Sequence, residues 1–274
     1  MRMRLTSKNY FSVQANQQYC SVSQLKRFIG SNGQIGCEKR ALAEMNEEII
    51  RKPSNAMLLG SYVDCMLLEP RKKKQFETDH PEMFSSRGET KGMLKKEFAI
   101  ANDMVATAKR DPMFMKALKG KKQKIMTGKI FGVPFKIKLD VLGENKITDL
   151  KTCASIYETQ YNPVSGKRES FIEYFDYPLQ GAIYQEIVRQ KTGKKLPFFL
   201  ACISKEEVPD HEVIWIDDET LEERLQEVMP YIVHVGMLKA GEVEPSGCGV
   251  CEYCRAHKRI TGAINWRDVG GKLE

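Results

Sequence analysis

The stretch Lys136-Ile137-Lys138-Leu139-Asp140-Val141-Leu142-Gly143-Glu144-Asn145-Lys146-Ile147-Thr148-Asp149-Leu150-Lys151-Thr152-Cys153 decides how the rest of the chain is read. Ile137, Leu139 and Val141 alternate with Lys138 and Asp140, the period-two pattern of a strand with one apolar face. Gly143-Glu144-Asn145 interrupts it and Ile147 resumes it, so the spacing predicts a hairpin of strands 134–142 and 146–153. With the turn on Glu144-Asn145, Asp140 falls opposite Asp149, and opposed Cβ atoms lie about 5 Å apart. Asp149 and Lys151 share a face, while Leu150 points into the opposite layer. Two carboxylates this close repel unless a cation separates them. A hard divalent ion with oxygen ligands resolves the conflict. Such an ion acidifies its bound water, and a neighbouring ammonium orients that water and offsets charge developing on a phosphorane-like transition state. Asp-x8-Asp-x-Lys therefore points to metal-dependent phosphodiester hydrolysis. The competing reading is a surface hairpin with ordinary charges. The apolar partners Ile137, Leu139, Val141, Ile147 and Leu150 weigh against it.

Working outward, a further strand is expected over 123–131, joined through Gly132-Val133, and two more over 197–204 and 211–216. A helix of about 171–191 follows a loop at 155–168, and a long charged helix spans about 218–240. The helix after the hairpin places Gln180 and Tyr184 four residues apart on one face. On the N-terminal side, helices are expected from Ser21, with Ser23 as cap, over Cys37–Arg51, over Ala56–Leu68 and over 98–118. Met57, Leu58, Leu59, Val63, Met66 and Leu67 mark the 56–68 helix as buried, yet it carries Asp64, an acid that is costly there unless paired or metal-bound. Residues 71–97 read as a charged surface loop and 1–22 as a polar lead-in. The expected class is α/β: a mixed central β-sheet flanked by helices, with a helical N-terminal part. Residues 23–244 form the main domain and 245–274 a cysteine-containing tail packed on it.

Composition sets outer limits. The chain has 274 residues, 42% hydrophobic and 29% charged, enough to fill and solvate a large core. A net charge of +7 permits a polyanionic partner without requiring one. No apolar run reaches about 18 residues, so no membrane-spanning helix is expected, and the first thirty residues lack the apolar core of a secretory signal. Cys20, Cys37, Cys65, Cys153 and Cys202 are scattered through predicted core elements, the usage of a reducing cytoplasm. Cys248, Cys251 and Cys254 form a C-x2-C-x2-C run whose short spacing lets thiolates converge on one metal or cluster. A fourth ligand is needed: His257, at the same interval, suits zinc, or Cys37 closes the site from the N-terminal end. Basic residues at Arg71 to Lys74, Lys119, Lys121, Lys122, Lys124, Arg255, Lys258 and Arg259 are candidate phosphate contacts, although each is equally explained as a solvated surface charge.

Gly60-Ser61-Tyr62-Val63-Asp64, Asp140…Asp149-Leu150-Lys151 and Gln180-Gly181-Ala182-Ile183-Tyr184, in that order, resemble the PD-(D/E)XK nuclease superfamily. More narrowly they resemble the RecE-like (exonuclease VIII-like) phage and prophage exonucleases, relatives of RecB and AddB nuclease domains. The resemblance implies a restriction-endonuclease-like core. It implies that Asp140 and Asp149 bind a catalytic Mg²⁺ (Mn²⁺ as alternative), with the backbone carbonyl of Leu150 as a further ligand, and that Lys151 positions the water. Gln180 and Tyr184 would be accessory residues near the DNA backbone. Asp64 stands where many relatives carry a histidine ligand. The implied reaction is 5′→3′ digestion of one strand of linear duplex DNA, leaving a 3′ single strand for phage-type recombination. The implied assembly is a ring-shaped homo-oligomer that serves a single-strand annealing protein in the cytoplasm of a bacterial host. Cys37 with the late cysteines resembles the iron–sulfur-bearing branch, which implies a [4Fe–4S] cluster, with Zn²⁺ or unligated thiols as the alternatives. Two other readings stay open: an endonuclease of the same superfamily, and a non-catalytic, metal-stapled DNA-binding protein.

Overall fold

The computed structural model describes residues 3–50 and 52–269. The chain opens with α1 (Val13–Gln18), α2 (Val22–Ile29), the two-residue strands β1 (Gly30–Ser31) and β2 (Gln34–Ile35), and α3 (Glu38–Met45). Next come α4 (Asn55–Leu68), α5 (Lys73–Asp79), α6 (Lys96–Arg110) and α7 (Pro112–Ala117). The strands β3 (Lys121–Ile130), β4 (Val133–Leu142) and β5 (Ile147–Cys153) follow, then the small hairpin β6 (Gln160–Asn162) and β7 (Lys167–Glu169). The chain continues through α8 (Phe171–Tyr174), α9 (Tyr177–Thr192), β8 (Phe198–Ser204), β9 (His211–Ile216), α10 (Asp218–Glu227), α11 (Met229–Ala240) and α12 (Glu252–Ala256).

One five-stranded sheet, in the order β3-β4-β5-β8-β9, carries the fold. Only β5 and β8 run parallel, with Asp149 in register with Leu200 and Lys151 with Cys202. The other neighbours are antiparallel. The period-two alternation sends the two faces of β8 into different cores. Phe198, Leu200 and Cys202 pack with Leu25 of α2, Ile183 and Ile187 of α9, Leu221 of α10 and Ile232 of α11. Ala201 and Ile203 pack with Leu59 and Met66 of α4, Phe98 and Met104 of α6 and Phe114 of α7. The result is the expected mixed sheet with helices on both faces.

The elements start where capping chemistry places them. Ser21, not Ser23, caps α2, and Gln24 completes a capping box. Ser54 caps α4, and Asp111 followed by Pro112 opens α7. Phe131 and Gly132, both at positive φ, make the tight β3–β4 turn.

Several expected segments break where a backbone detail overrides periodicity. The helix expected over 171–191 is two helices meeting at Asp176, which sits in the left-handed region, caps α9 and ion-pairs with Arg224 at 2.8 Å. The 218–240 helix breaks before Met229-Pro230, because proline restarts a first turn. The helix expected over Cys37–Arg51 ends at Met45, and Arg51 lies outside the described residues. The expected loop 71–97 contains α5, whose Phe76 stacks on Tyr62, and the fully buried Met83. The expected loop 155–168 carries β6 and β7.

The polar lead-in, apart from residues 1–2, which lie outside the described residues, is built onto the sheet. Cys20 bridges to β4 through Cys20 N–Pro134 O and Lys136 N–Cys20 O, both 2.8 Å. Tyr10, Ala15, Tyr19 and Cys20 are buried. In the tail, residues 270–274 likewise lie outside the described residues.

Candidate active site

Strands β4 and β5 pair only next to their turn, at Leu142 with Ile147 and Val141 with Thr148. Beyond that point they part. Asp140 and Asp149 would be the next pair, but the Oδ2 of Asp140 instead accepts a hydrogen bond from the Leu150 backbone N–H at 3.0 Å. A carboxylate thus replaces a ladder bond, and the sheet opens around the two acids.

Asp149 is 2% exposed. Its Oδ1 accepts from Gln180 Nε2 at 2.8 Å. Lys151 Nζ lies 2.6 Å from Oδ2, so the shared face expected for Asp149 and Lys151 is present. That approach is an ion pair without hydrogen-bond alignment, and Oδ2 remains a buried oxygen with no directed donor. Leu150 points into the opposite core.

Two close approaches position the flanking helices. A Cβ on Gly60 would stand 3.1 Å from Thr152 Oγ1, so glycine lets α4 lie against β5 and brings Asp64, one turn later, to the acids. A Cβ on Gly181 would meet Phe198 Cδ1 at 2.5 Å, so α9 sits tightly on β8 and its neighbour Gln180 reaches Asp149. Tyr184, one turn further, donates to the Lys138 carbonyl at 3.4 Å.

Asp64, Asp140, Asp149, Lys151, Gln180 and Tyr184 all line one cavity of about 310 Å³. It shares Asp64, Asp140, Lys138 and Tyr184 with an adjoining groove of about 470 Å³ that Lys72 also lines. Two site residues escaped sequence reasoning. Gln123 adopts a positive φ within β3 and donates its amide to Asp140 Oδ1 at 3.1 Å. Lys26 of α2 donates to the Phe175 carbonyl at 2.6 Å and shares the Tyr177 ring with Lys151, their ammoniums 5.5 and 5.0 Å from its centre. Neither a left-handed backbone nor a contact from a helix distant in the sequence leaves a local signal.

The electrostatics are first those of burial and second those of crowded acids. Burial first, then Asp149, push the Asp64 carboxyl up to about 7, although Lys151 opposes this. Burial, with Asp149 and Asp64, lifts Asp140 well above the usual carboxylate range. Burial works against the charge on Lys151, but Asp149, Tyr177 and Asp140 hold its ammonium well above the ordinary lysine value. Burial lowers Lys26 to about 8. Three hard oxygen donors, two of them reluctant to ionise, and a buried oxygen without a donor fit a divalent cation. The acids line one cavity, though their oxygens do not all come within 4.8 Å of one another.

The cysteines do close. Sγ atoms of Cys37, Cys248, Cys251 and Cys254 all lie within 4.8 Å of one another, the one such ligand set among the described residues. Cys37 Sγ is 3.6 Å from that of Cys254 and 3.7 Å from that of Cys251. His257 is not in this set; its Nδ1 meets the Tyr253 carbonyl at 2.8 Å and its ring packs on Tyr253. Tetrahedral zinc, with metal–sulfur bonds of about 2.3 Å, has sulfur–sulfur edges of about 3.8 Å. The two short sulfur–sulfur distances, 3.6 and 3.7 Å, are close to that edge. Backbone N–H groups of Cys251 and Cys254 point at the sulfurs of Cys248 and Cys251, at 3.3 and 3.4 Å. The set joins the start of α3 to the tail, reinforced by Ser246 N–Glu38 Oε2 at 2.7 Å.

The sequence pattern of one family, described as a PDDEXK-like domain of unknown function (DUF3799), matches residues 21–257. A solved structure of a provisionally assigned exonuclease from Eubacterium rectale is 40% identical, covering 98% of this chain and 99% of that chain, with a TM-score of 0.89. The solved structure of SSO0001 is 15% identical over 79% of this chain and 90% of that chain, with a TM-score of 0.26, and carries no argument. No curated protein matches. Among the described residues, no helix is long and apolar enough to cross a membrane.

Proposed function

Because the chain belongs to the PDDEXK-like domain family DUF3799, we propose that it is a Mg²⁺-dependent exodeoxyribonuclease that digests one strand of linear duplex DNA 5′→3′ and leaves 3′ single strands. The observation that carries this reading is the buried Asp149, held by Gln180 on one oxygen and paired with Lys151 on the other, beside Asp140 and Asp64 in one cavity. Asp64, Asp140, Asp149 and the Leu150 carbonyl would hold the ion, with Mn²⁺ as a substitute. When bound, the dication polarises the phosphate and acidifies a water. Lys151, charged throughout the physiological range, orients the attacking oxygen and offsets charge on the phosphoryl oxygens. Gln180 fixes the Asp149 carboxylate, Gln123 and the Leu150 N–H fix Asp140, and Tyr184 stands at the cavity wall toward the groove.

End-dependence rests on the motif resemblance and on the exonuclease assignment of the Eubacterium rectale relative. The same reading assigns catalysis to residues 23–244, with 245–274 as a structural appendage. It places the protein in the cytoplasm of a bacterial host, in phage-type recombination, as a homo-oligomeric ring that passes its product to an annealing protein. For the cysteine quartet, the sulfur spacing supports a single Zn²⁺ over a [4Fe–4S] cluster.

The test is digestion of linear duplexes labelled at the 5′ or 3′ end and of closed circular duplex, with Mg²⁺ or with chelator. Early release of the 5′ label from linear DNA alone, abolished by chelator, is expected. Equal cleavage of circles would make it an endonuclease, and binding without cleavage in Mg²⁺ or Mn²⁺ would leave the non-catalytic reading.

A further inference from the structure

The groove that adjoins the acids is walled by Tyr10 and Phe11, which lie ahead of the residues matched by the family pattern. The two neighbours behave oppositely. Tyr10 is 6% exposed, donates its hydroxyl to the Lys136 carbonyl at 3.4 Å, accepts from Lys136 Nζ at its own carbonyl, and holds that ammonium 4.7 Å from its ring centre. Phe11 is 70% exposed. It is nonetheless held in place. Its carbonyl accepts from Asn16 Nδ2 at 3.2 Å, its ring stands edge-on to Tyr10 at 4.9 Å, and Ser12 caps α1 directly after it. An aromatic ring facing water from an anchored backbone leaves apolar surface unburied. Lys138 lies beside it: its Nζ is 6.0 Å from the Phe11 ring, and it also lines the acid cavity with Asp64 and Asp140. Ring, ammonium and acids thus follow one another along a continuous surface.

We propose that Phe11 is a stacking platform for an unpaired nucleobase of the strand whose phosphodiester lies at Asp140 and Asp149, with Lys138 contacting the phosphate between them. The proposal rests on the nuclease reading and names how the substrate is gripped. A phenyl ring has no polar atom to read a base edge, and every base has a π-face, so the grip is indifferent to sequence. It requires the base to be unstacked, which a frayed duplex end supplies more readily than an intact duplex.

The decisive probe is linear duplex carrying 2-aminopurine at the terminal position of either strand. Binding is measured in an Asp149→Asn background, so that no cleavage intervenes. With Phe11 present, fluorescence of the 2-aminopurine is quenched on binding. Phe11→Ala should abolish the quench and weaken binding about 5- to 150-fold, whereas Phe11→Trp should restore both. In the cleaving protein, Phe11→Ala should raise KM with little change in kcat. Because the side chain is exposed, the thermal midpoint should not move. Unchanged affinity and quench in Phe11→Ala, in a parent that cleaves DNA, would overturn the platform and leave the nuclease reading standing. A parent that neither binds nor cleaves nucleic acid would overturn both.

Discussion

Gln180 Nε2 donates to Asp149 Oδ1 at 2.8 Å, between residues 8% and 2% exposed. Buried hydrogen bonds to a carboxylate fix its orientation, and groups that orient a metal ligand typically matter 10- to 100-fold. Gln180→Ala should therefore lower the single-turnover cleavage rate or the metal affinity by about that factor. Gln180→Glu, which sets a like charge against Asp149, should lower it further. A Gln180→Ala protein with parental metal titration and rate would remove Gln180 from the site.

Asp149→Asn should reduce cleavage by about 10²- to 10³-fold or more, and Lys151→Ala by a similar factor, while duplex binding persists. Filter binding alongside gel-based cleavage separates the two effects. Cleavage retained in both variants would mean that the carboxylate–lysine pair is structural.

The acids link metal binding to pH. With their folded-state values raised, Asp64 and Asp140 retain protons in the folded protein that the unfolded chain releases above about 3.9. Their contribution to the metal-free fold therefore falls as pH rises from about 4 through about 7. A dication replaces those protons. The rise in thermal midpoint on adding Mg²⁺ should thus be larger at pH 8 than at pH 5.5, and Asp64→Asn should shrink the difference. A metal-induced shift that does not change with pH would contradict the linkage.

For the cysteine quartet, metal analysis should return one zinc per chain and no absorption band at roughly 400 nm. Cys37→Ser should lose the zinc and lower the thermal midpoint by several degrees, because Cys37 ties α3 to the tail. A brown, anaerobically purified protein rich in iron and sulfide would instead establish the cluster.

Gly181 is a packing constraint next to Gln180. Gly181→Ala pushes a methyl toward Phe198 Cδ1 and Leu221 Cδ2, at 2.5 and 2.8 Å. Overpacking of this kind costs about 1–3 kcal/mol, measurable by urea unfolding. Activity should fall with it as α9 shifts Gln180 away from Asp149. An unfolding midpoint equal to the parent's would show that α9 and β8 have room to spare.

By itself the sequence determined the five strands of the central sheet, the shared face of Asp149 and Lys151, the helical turn that sets Gln180 beside Tyr184, and the C-x2-C-x2-C run. Each is a local periodicity or spacing that a few neighbouring residues specify. It also kept both candidates for the fourth ligand, Cys37 and His257. The family resemblance pointed to Cys37, and the tertiary structure brings it to the late cysteines, a contact between segments over 200 residues apart that no local spacing specifies. The same holds for the parting of β4 and β5, for Gln123 in its left-handed backbone, and for Phe11 at the groove. These features arise where long-range packing and burial override local preference. A single chain read from end to end carries no term for contacts it has not yet made.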